Sequence, residues 1–247
     1  MLSPKTYLAI WEAGHGLSSV DQLYLLLQAI YPEAAVEQFE QLTVGQCNAR
    51  LLALMRDIEQ NESISLEQPC PACNQLMAVD LTYEELLERH KDEVVEGVYQ
   101  SKGYHILYRH ARLGDMAQAA VARTPEAAKR QMVQSCLEIF KDEKPVAVAE
   151  VAEVAENVIT QVAEHIEQQD PLALIEIGLQ CADCAHEWTR LFVPYKVLWS
   201  KVDQMAKHLL REIAKLTRNY GWTEEYILGM SAAKRAFYVE LVDSGRL

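Results

Sequence analysis

The chain has 247 residues, half of them hydrophobic, and a formal net charge of −13. This length leaves room for one large or two modest domains with real hydrophobic cores. The charge is uneven, since residues 1–195 sum to −16 and residues 196–247 to +3. A chain this acidic lacks the basic footprint that a phosphate backbone demands, so we expect no nucleic-acid binding.

Neither a targeting segment nor a membrane span is expected. Residues 1–6 contain no apolar stretch behind a basic one, so they do not resemble a secretory signal. The longest apolar runs, such as residues 23–29, are too short to cross a bilayer. These features predict a cytoplasmic protein, in a compartment where thiols stay reduced. Six cysteines there, four of them in CxxC pairs, indicate metal binding and not disulfides.

The first part of the chain predicts helices. Ser19 with Gln22, and Thr43 with Gln46, have the spacing of capping boxes. Each box precedes apolar residues that recur at helical spacing. The sequence therefore predicts an N-terminal helical region over residues 1–62.

Two segments alternate polar and apolar residues on both sides of a CxxC pair. This pattern predicts a strand, a tight turn that we call a knuckle, and a second strand. The two knuckles are separated by 107 residues. The first comprises Cys70–Cys73 between segments 64–66 and 76–81, and the second comprises Cys181–Cys184 between segments 174–180 and 186–193.

The residues between the knuckles predict further strands and helices. Segments 94–99 and 104–108 favour a hairpin with Gly103 in its turn. Two helices are expected after it, from Thr124 to about Phe140 and from Pro145 to about Gln168.

The end of the chain predicts a long helix followed by two short ones. The long helix runs from about Val197 to Asn219, with Gly221 as its C-cap, and Thr223 and Ser231 cap the short helices. The predicted fold is α+β and mainly α, with helical ends around a split zinc-ribbon-like β module that carries a helical insertion. The predicted regions are 1–62, 63–195 with an α/β insertion at 82–173, and 196–247.

The two knuckles together predict one structural zinc site. Zinc prefers four tetrahedral ligands, and two CxxC turns that face each other supply four thiolates. A gap of 107 residues far exceeds that of a compact ribbon, so we expect a domain inserted between the two halves. Four protein ligands leave no position for water, which predicts a structural and not a catalytic metal. The predicted ligands are Cys70, Cys73, Cys181 and Cys184.

Other interpretations of these cysteines stay open. Cys70-Pro-Ala-Cys73 resembles a dithiol-exchange site, although such a site needs a helix N-terminus and neither knuckle is predicted to begin a helix. The cysteines could also merely pack, or His186 could replace one of them as a ligand. The residue after a knuckle favours positive φ, which Asn74 tolerates better than Ala185. Ala185 thus leaves open a distorted second knuckle or a weaker metal site.

No catalytic motif is found in the sequence. Gly14-His-Gly16 is too short for a phosphate-binding loop and follows no predicted strand. Neither a zinc-protease helix nor a nucleophile elbow occurs. Cys47 and Cys136 lie on apolar helix faces and are expected in the core. We therefore expect a protein that is not an enzyme.

Motifs near the two ends of the chain carry a family resemblance. With the knuckles between them, they make the chain similar to the baseplate (hub) assembly proteins of contractile phage tails and phage-tail-like contractile injection systems. That family is related to the baseplate hub assembly protein of phage T4. Its members often have Gly after each knuckle, where this chain has Asn74 and Ala185. The motifs are Trp11 to Gly16, Leu198-Trp199, Tyr220 to Leu228 and Lys234 to Tyr238.

The resemblance implies a non-enzymatic assembly factor or a minor baseplate component. Its partners would be hub, spike or wedge proteins, and the chain would be cytoplasmic or incorporated in a tail-like particle. The C-terminal motif also has a plain explanation as a small packed helical cap. As a docking surface, its predicted partner-binding residues are Trp199, Tyr220, Trp222, Tyr226 and Tyr238.

Two alternative functions are carried forward. A zinc-ribbon regulatory or adaptor protein of a transcription or replication complex would need a basic face near the knuckles. The surrounding residues are instead acidic, namely Glu67, Asp80, Asp183 and Glu187. A thiol oxidoreductase is the other alternative, and metal analysis would distinguish it from a zinc protein.

Overall fold

The chain has mixed α+β structure and is divided into two units. We call Met1–Pro32 with Lys196–Leu247 the helical unit, and Glu33–Tyr195 the cysteine unit. The computed structural model describes residues 3–59, 61–91, 96–101, 103–146 and 156–245. Among the residues described, no helix combines the length and apolar character needed to cross a membrane.

Helices and short antiparallel strands alternate along the chain, with more residues in helices than in strands, as predicted. The first eight elements are α1 (Pro4–Gly14), α2 (Ser19–Ile30), α3 (Val36–Glu40), α4 (Val44–Glu59), β1 (Ser63–Pro69), β2 (Leu76–Thr82), α5 (Tyr83–Leu87) and β3 (Gly97–Ser101). The next six are β4 (Tyr104–Tyr108), α6 (Leu113–Ala120), α7 (Pro125–Cys136), β5 (Leu137–Lys141), β6 (Lys144–Val146) and α8 (Glu156–Gln169). The last five are β7 (Ile175–Gln180), β8 (Glu187–Phe192), α9 (Pro194–Tyr220), α10 (Glu224–Leu228) and α11 (Ala232–Asp243).

The helical unit is organised around the apolar face of α9. Buried residues of this face, such as Leu209 and Leu216, pack with Leu8 of α1 and Ile227 of α10. Gly221 ends α9 at φ 68°, and its amide donates to the carbonyl of Thr217 over 2.9 Å. The long helix and its glycine C-cap are therefore confirmed.

The helix N-termini follow the predicted caps with one correction. Thr43 and Gln46 form the expected capping box, since the Gln46 amide donates to Thr43 Oγ1 and the Thr43 amide donates to Gln46 Oε1, both over 3.1 Å. The cap of α2 is Ser18 and not Ser19, because Ser18 Oγ accepts the amide of Asp21 over 3.2 Å. A run of two serines made these positions ambiguous in the sequence.

The cysteine unit contains a four-stranded antiparallel sheet in the order β3-β4-β5-β6. The predicted hairpin around Gly103 is confirmed as β3 and β4, although residues 94 and 95 lie outside the described residues. Ile106 and Ile139 of the sheet form a core with Val158 and Val162 of α8. This core supports the insertion between the two knuckles.

Two helix predictions in this insertion were wrong at their ends. The helix expected to reach Phe140 stops at Cys136, because Leu137–Lys141 pairs with β4. The helix expected from Pro145 cannot begin there, because Lys144–Val146 pairs with β5. Residues 147–155 of that prediction lie outside the described residues. Pairing with distant strands overrides the local helical spacing here.

The strand, knuckle, strand predictions are confirmed as two hairpins, each with its own two-stranded sheet. Ser63 to Pro69 pairs with Thr82 to Leu76, so the first knuckle lies at the tip of β1 and β2. Ile175 to Gln180 pairs with Phe192 to Glu187, so the second lies at the tip of β7 and β8. The two hairpin tips carry the four cysteines.

Candidate metal centre

The first knuckle is a tight turn closed by its own backbone. The Cys70 amide donates to the Gln75 carbonyl, and the Asn74 amide donates to the Cys70 carbonyl, both over 2.9 Å. Asn74 adopts φ 64°, the left-handed conformation that asparagine tolerates well. The amides of Ala72 and Cys73 donate to the Cys70 sulfur, so the turn surrounds that sulfur with N–H groups.

The second knuckle repeats both backbone hydrogen bonds of the first. The Cys181 amide donates to the His186 carbonyl, and the Ala185 amide donates to the Cys181 carbonyl, again over 2.9 Å. Ala185 takes φ 56°, which costs an alanine about 1–2 kcal/mol. The second knuckle is therefore not distorted, and its strain is confined to one residue.

The two knuckles bring four sulfur atoms together. All four lie within 4.8 Å of one another. Cys70 Sγ is 3.7 Å from Cys184 Sγ, and Cys73 Sγ is 3.6 Å from Cys181 Sγ. These distances exclude a disulfide, whose sulfurs are about 2.05 Å apart. They match the spacing of about 3.8 Å that a tetrahedron with zinc–sulfur bonds of about 2.3 Å requires. The four predicted ligands can thus hold one metal ion.

The ionisation of these thiols reflects their crowding. Burial raises the pKa of Cys70, but donation from the Cys73 and Ala72 amides outweighs it and lowers that pKa to about 7. The Gln75 amide lowers the pKa of Cys73, yet the neighbouring thiols, Cys184 first, raise it to about 12. The His186 amide likewise lowers the pKa of Cys184, but the net pKa is raised. Four adjacent thiolates repel one another, so a full set needs a cation among them.

The other interpretations of the knuckles find less support in this geometry. The metal-binding group found among the described residues consists of the four cysteines and does not include His186. The His186 ring stacks on Trp188, with centroids 5.9 Å apart and 19° between planes. Each knuckle is followed by a strand, so neither has the helix N-terminus that activates a dithiol-exchange cysteine. Cys47 is buried and Cys136 half-buried against apolar side chains, as expected.

Four of the five predicted partner-binding residues lie together in the helical unit. Trp222 stacks on Tyr220 at 4.3 Å between centroids, and it meets Tyr238 edge-on at 4.8 Å and Tyr226 at 5.6 Å. We call these four residues the aromatic cluster. Tyr226 is 53% exposed, and Phe237, whose ring lies 6.0 Å from that of Tyr238, is 57% exposed. The cluster is therefore partly core and partly surface.

Trp199 lies apart from the aromatic cluster and packs against the N-terminal motif. A Cβ on Gly14 would lie 2.1 Å from the Trp199 ring, so only glycine fits beneath it. Trp11 Nε1 donates to Asp203 Oδ1 over 2.9 Å, which joins α1 to α9. Motifs near the two ends of the sequence thus meet in one unit, a contact that sequence spacing did not reveal.

A cavity of about 410 Å³ in the cysteine unit was also not predicted. Its walls are mostly apolar, and its polar lining includes two buried residues, His110 and Asp170. Within the described part of the chain, neither ring nitrogen of His110 has a hydrogen-bond partner, whereas Asp170 Oδ2 accepts the Gly45 amide over 3.2 Å. A Cβ on Gly45 would lie 1.6 Å from Asp170, so this position requires glycine, a dependence that the sequence alone did not reveal.

Comparison with known proteins adds no relative. No protein-family model, no curated protein and no solved structure matches the chain. What indicates a function is therefore the geometry of the four sulfurs, together with the motifs of the sequence.

Proposed function

We propose that the chain is a non-enzymatic assembly factor or minor baseplate component of a contractile tail or injection system, with one structural zinc ion. The observation that carries the zinc assignment is the set of four sulfurs within 4.8 Å, contributed by two matching knuckles. Zinc with four thiolates has no position left for water or substrate. The ion therefore serves as a crosslink.

The crosslink would join the tips of two hairpins that do not share a sheet. In this proposal the hairpins are the halves of one split zinc ribbon, and residues 82–173, with α5 to α8, form its insertion. Each hairpin has only two strands, an arrangement that is at best marginally stable by itself in water. Zinc binding would supply the stability that such small sheets lack.

The docking part of the proposal rests on the helical unit. In the aromatic cluster Tyr226 is exposed, as is Phe237 beside Tyr238, and large exposed aromatic side chains are typical of protein interfaces. Residues 196–247 carry a net charge of +3, which favours an acidic partner. The sequence resemblance identifies that partner class as hub, spike or wedge proteins.

Metal analysis of the purified protein tests the zinc assignment. We expect about one zinc per chain, lost in Cys70→Ser and Cys181→Ser variants and kept in Cys47→Ala. Cys47 is the matched control because it is buried and does not belong to the four-cysteine group. A metal-free wild-type protein with a readily formed Cys70–Cys73 disulfide would overturn the assignment in favour of a redox site.

Genomic neighbourhood and direct binding test the assembly role. We expect sheath, tube and baseplate genes beside this one, and binding of the purified chain to a hub, spike or wedge protein encoded there. Tyr226→Ala should weaken that binding, whereas Tyr31→Ala, an exposed tyrosine outside the aromatic cluster, should not. If no tail genes adjoin this one, the role is wrong.

A further inference from the structure

The four sulfurs of the metal centre differ in their access to solvent. Cys73 and Cys184 are exposed, whereas Cys70 and Cys181 are buried. Each short sulfur–sulfur contact joins one exposed and one buried cysteine, and the two belong to different hairpins. An accessible sulfur beside a second thiol that can resolve it is typical of redox-sensitive sites.

We propose that Cys73 and Cys184 are sites of oxidation by peroxides, each resolved by the buried cysteine of the opposite hairpin. The products are the disulfides Cys73–Cys181 and Cys70–Cys184. This inference rests on the zinc assignment above, because the bound cation keeps the sulfurs as thiolates. It adds that oxidation replaces the zinc crosslink between the hairpins by two disulfide crosslinks.

The reaction balances with two molecules of hydrogen peroxide. An exposed thiolate attacks one peroxide oxygen, so that an S–O bond forms, the O–O bond breaks and hydroxide leaves as water after taking a proton. The buried thiolate then attacks this sulfenic sulfur, so that the S–S bond forms, the S–O bond breaks and a second hydroxide leaves as water. Four thiolates, two peroxides and four protons yield two disulfides and four waters, and the loss of the thiolates releases the cation.

The cross-hairpin pairing follows from the distances. Closing a contact of 3.6 or 3.7 Å to the disulfide length of about 2.05 Å moves the sulfurs by less than 2 Å. The remaining two cysteines are less accessible to peroxide, because Cys47 is buried and Cys136 is half-buried. Oxidation is therefore directed to the knuckles.

The test oxidises the full-length zinc-loaded protein with hydrogen peroxide and follows three readouts. A colorimetric indicator should register the release of about one zinc per chain, and four of the six thiols should be lost. Dimedone added with limiting peroxide should label Cys73 and Cys184. Trypsin leaves both cysteines of each knuckle on one peptide, residues 57–89 and 142–190, so the expected disulfides link these two peptides. Fragmentation of the linked species assigns the pairs.

Separate outcomes decide the two proposals. Disulfides confined to Cys70–Cys73 and Cys181–Cys184, seen as two unlinked peptides, would overturn this inference and leave the zinc assignment intact. Zinc retained under peroxide would also overturn it. Absence of zinc before oxidation would instead refute the zinc assignment. Cys47→Ser should behave as wild type in all three readouts, because Cys47 is not among the four clustered sulfurs.

Discussion

The buried ion pair between α9 and α11 leads to a sharp prediction for the helical unit. Arg235 Nε donates to Glu212 Oε2 over 2.5 Å, and the two residues are only 5% and 8% exposed. Glu212→Gln leaves the buried guanidinium without a counter-charge. We expect the free energy of unfolding to fall by about 3–5 kcal/mol, because an unpaired buried charge keeps its desolvation cost without its Coulombic gain.

An exposed pair on the same two helices provides the control. Lys215 Nζ lies 2.6 Å from Asp243 Oδ1, but their side chains are 35% and 58% exposed. Asp243→Asn should therefore cost at most about 1 kcal/mol. The double variant Glu212→Leu with Arg235→Met removes both buried charges, and it should be far more stable than Glu212→Gln, near or above wild type.

Urea unfolding followed by tryptophan fluorescence measures these differences. Three of the four tryptophans, Trp11, Trp199 and Trp222, belong to the helical unit, so the signal reports mainly on it. The reasoning is refuted if Glu212→Gln costs no more than Asp243→Asn. It is also refuted if the double variant is no more stable than Glu212→Gln.

Three further predictions concern the cysteine unit. Gly45→Ala should destabilise this unit by roughly 2 kcal/mol or more, since the new Cβ meets Asp170 at 1.6 Å. Gly178→Ala is the control, because a Cβ there enters open space, and it should be neutral or slightly stabilising in the same urea assay. Ala185→Gly should slow zinc loss to a chelator and stabilise the second knuckle by about 1 kcal/mol, because glycine adopts the φ of 56° found at Ala185 without strain. Ala182→Gly in the same knuckle should have neither effect. Equal effects of the two substitutions would show that the backbone of Ala185 carries no strain. Hydrogen bonding from Arg109 holds the pKa of Asp115 below its ordinary value of 3.8, so its stabilisation is complete above that value and is lost as pH falls through the lowered pKa. Asp115→Asn should thus lower stability at pH 7 by about 1.5–3 kcal/mol and flatten the acid limb of a stability–pH curve; an unchanged acid limb would contradict this.

Local chemistry made part of this structure predictable from sequence. The Thr43 cap, the Gly221 C-cap and the two knuckles each depend on residues within a few positions of one another. The four candidate ligands could also be named from the sequence, because each CxxC pair is itself a local motif. Alternation on both sides of each pair then predicted the hairpins.

Contacts between distant residues were beyond this reasoning. Leu137 and Ile139 satisfy a helical pattern as well as an alternating one, and only pairing with β4 decides for a strand. The partner of Arg235 lies 23 residues away on another helix, and the carboxylate that requires Gly45 lies 125 residues away. Charge and spacing do not select one such partner among many candidates.

The division of the chain into units has a consequence for synthesis on the ribosome. The helical unit combines Met1–Pro32 with Lys196–Leu247, so about 160 residues are translated between its two parts. At about 5–20 residues per second, α1 and α2 wait roughly 8–30 seconds for α9 to emerge. During this interval the apolar face that Leu8 presents lacks its partners on α9 and α10, so a nascent chain stalled before α9 should be a substrate for chaperones. The cysteine unit is complete before α9 has been made, and its fold can form first.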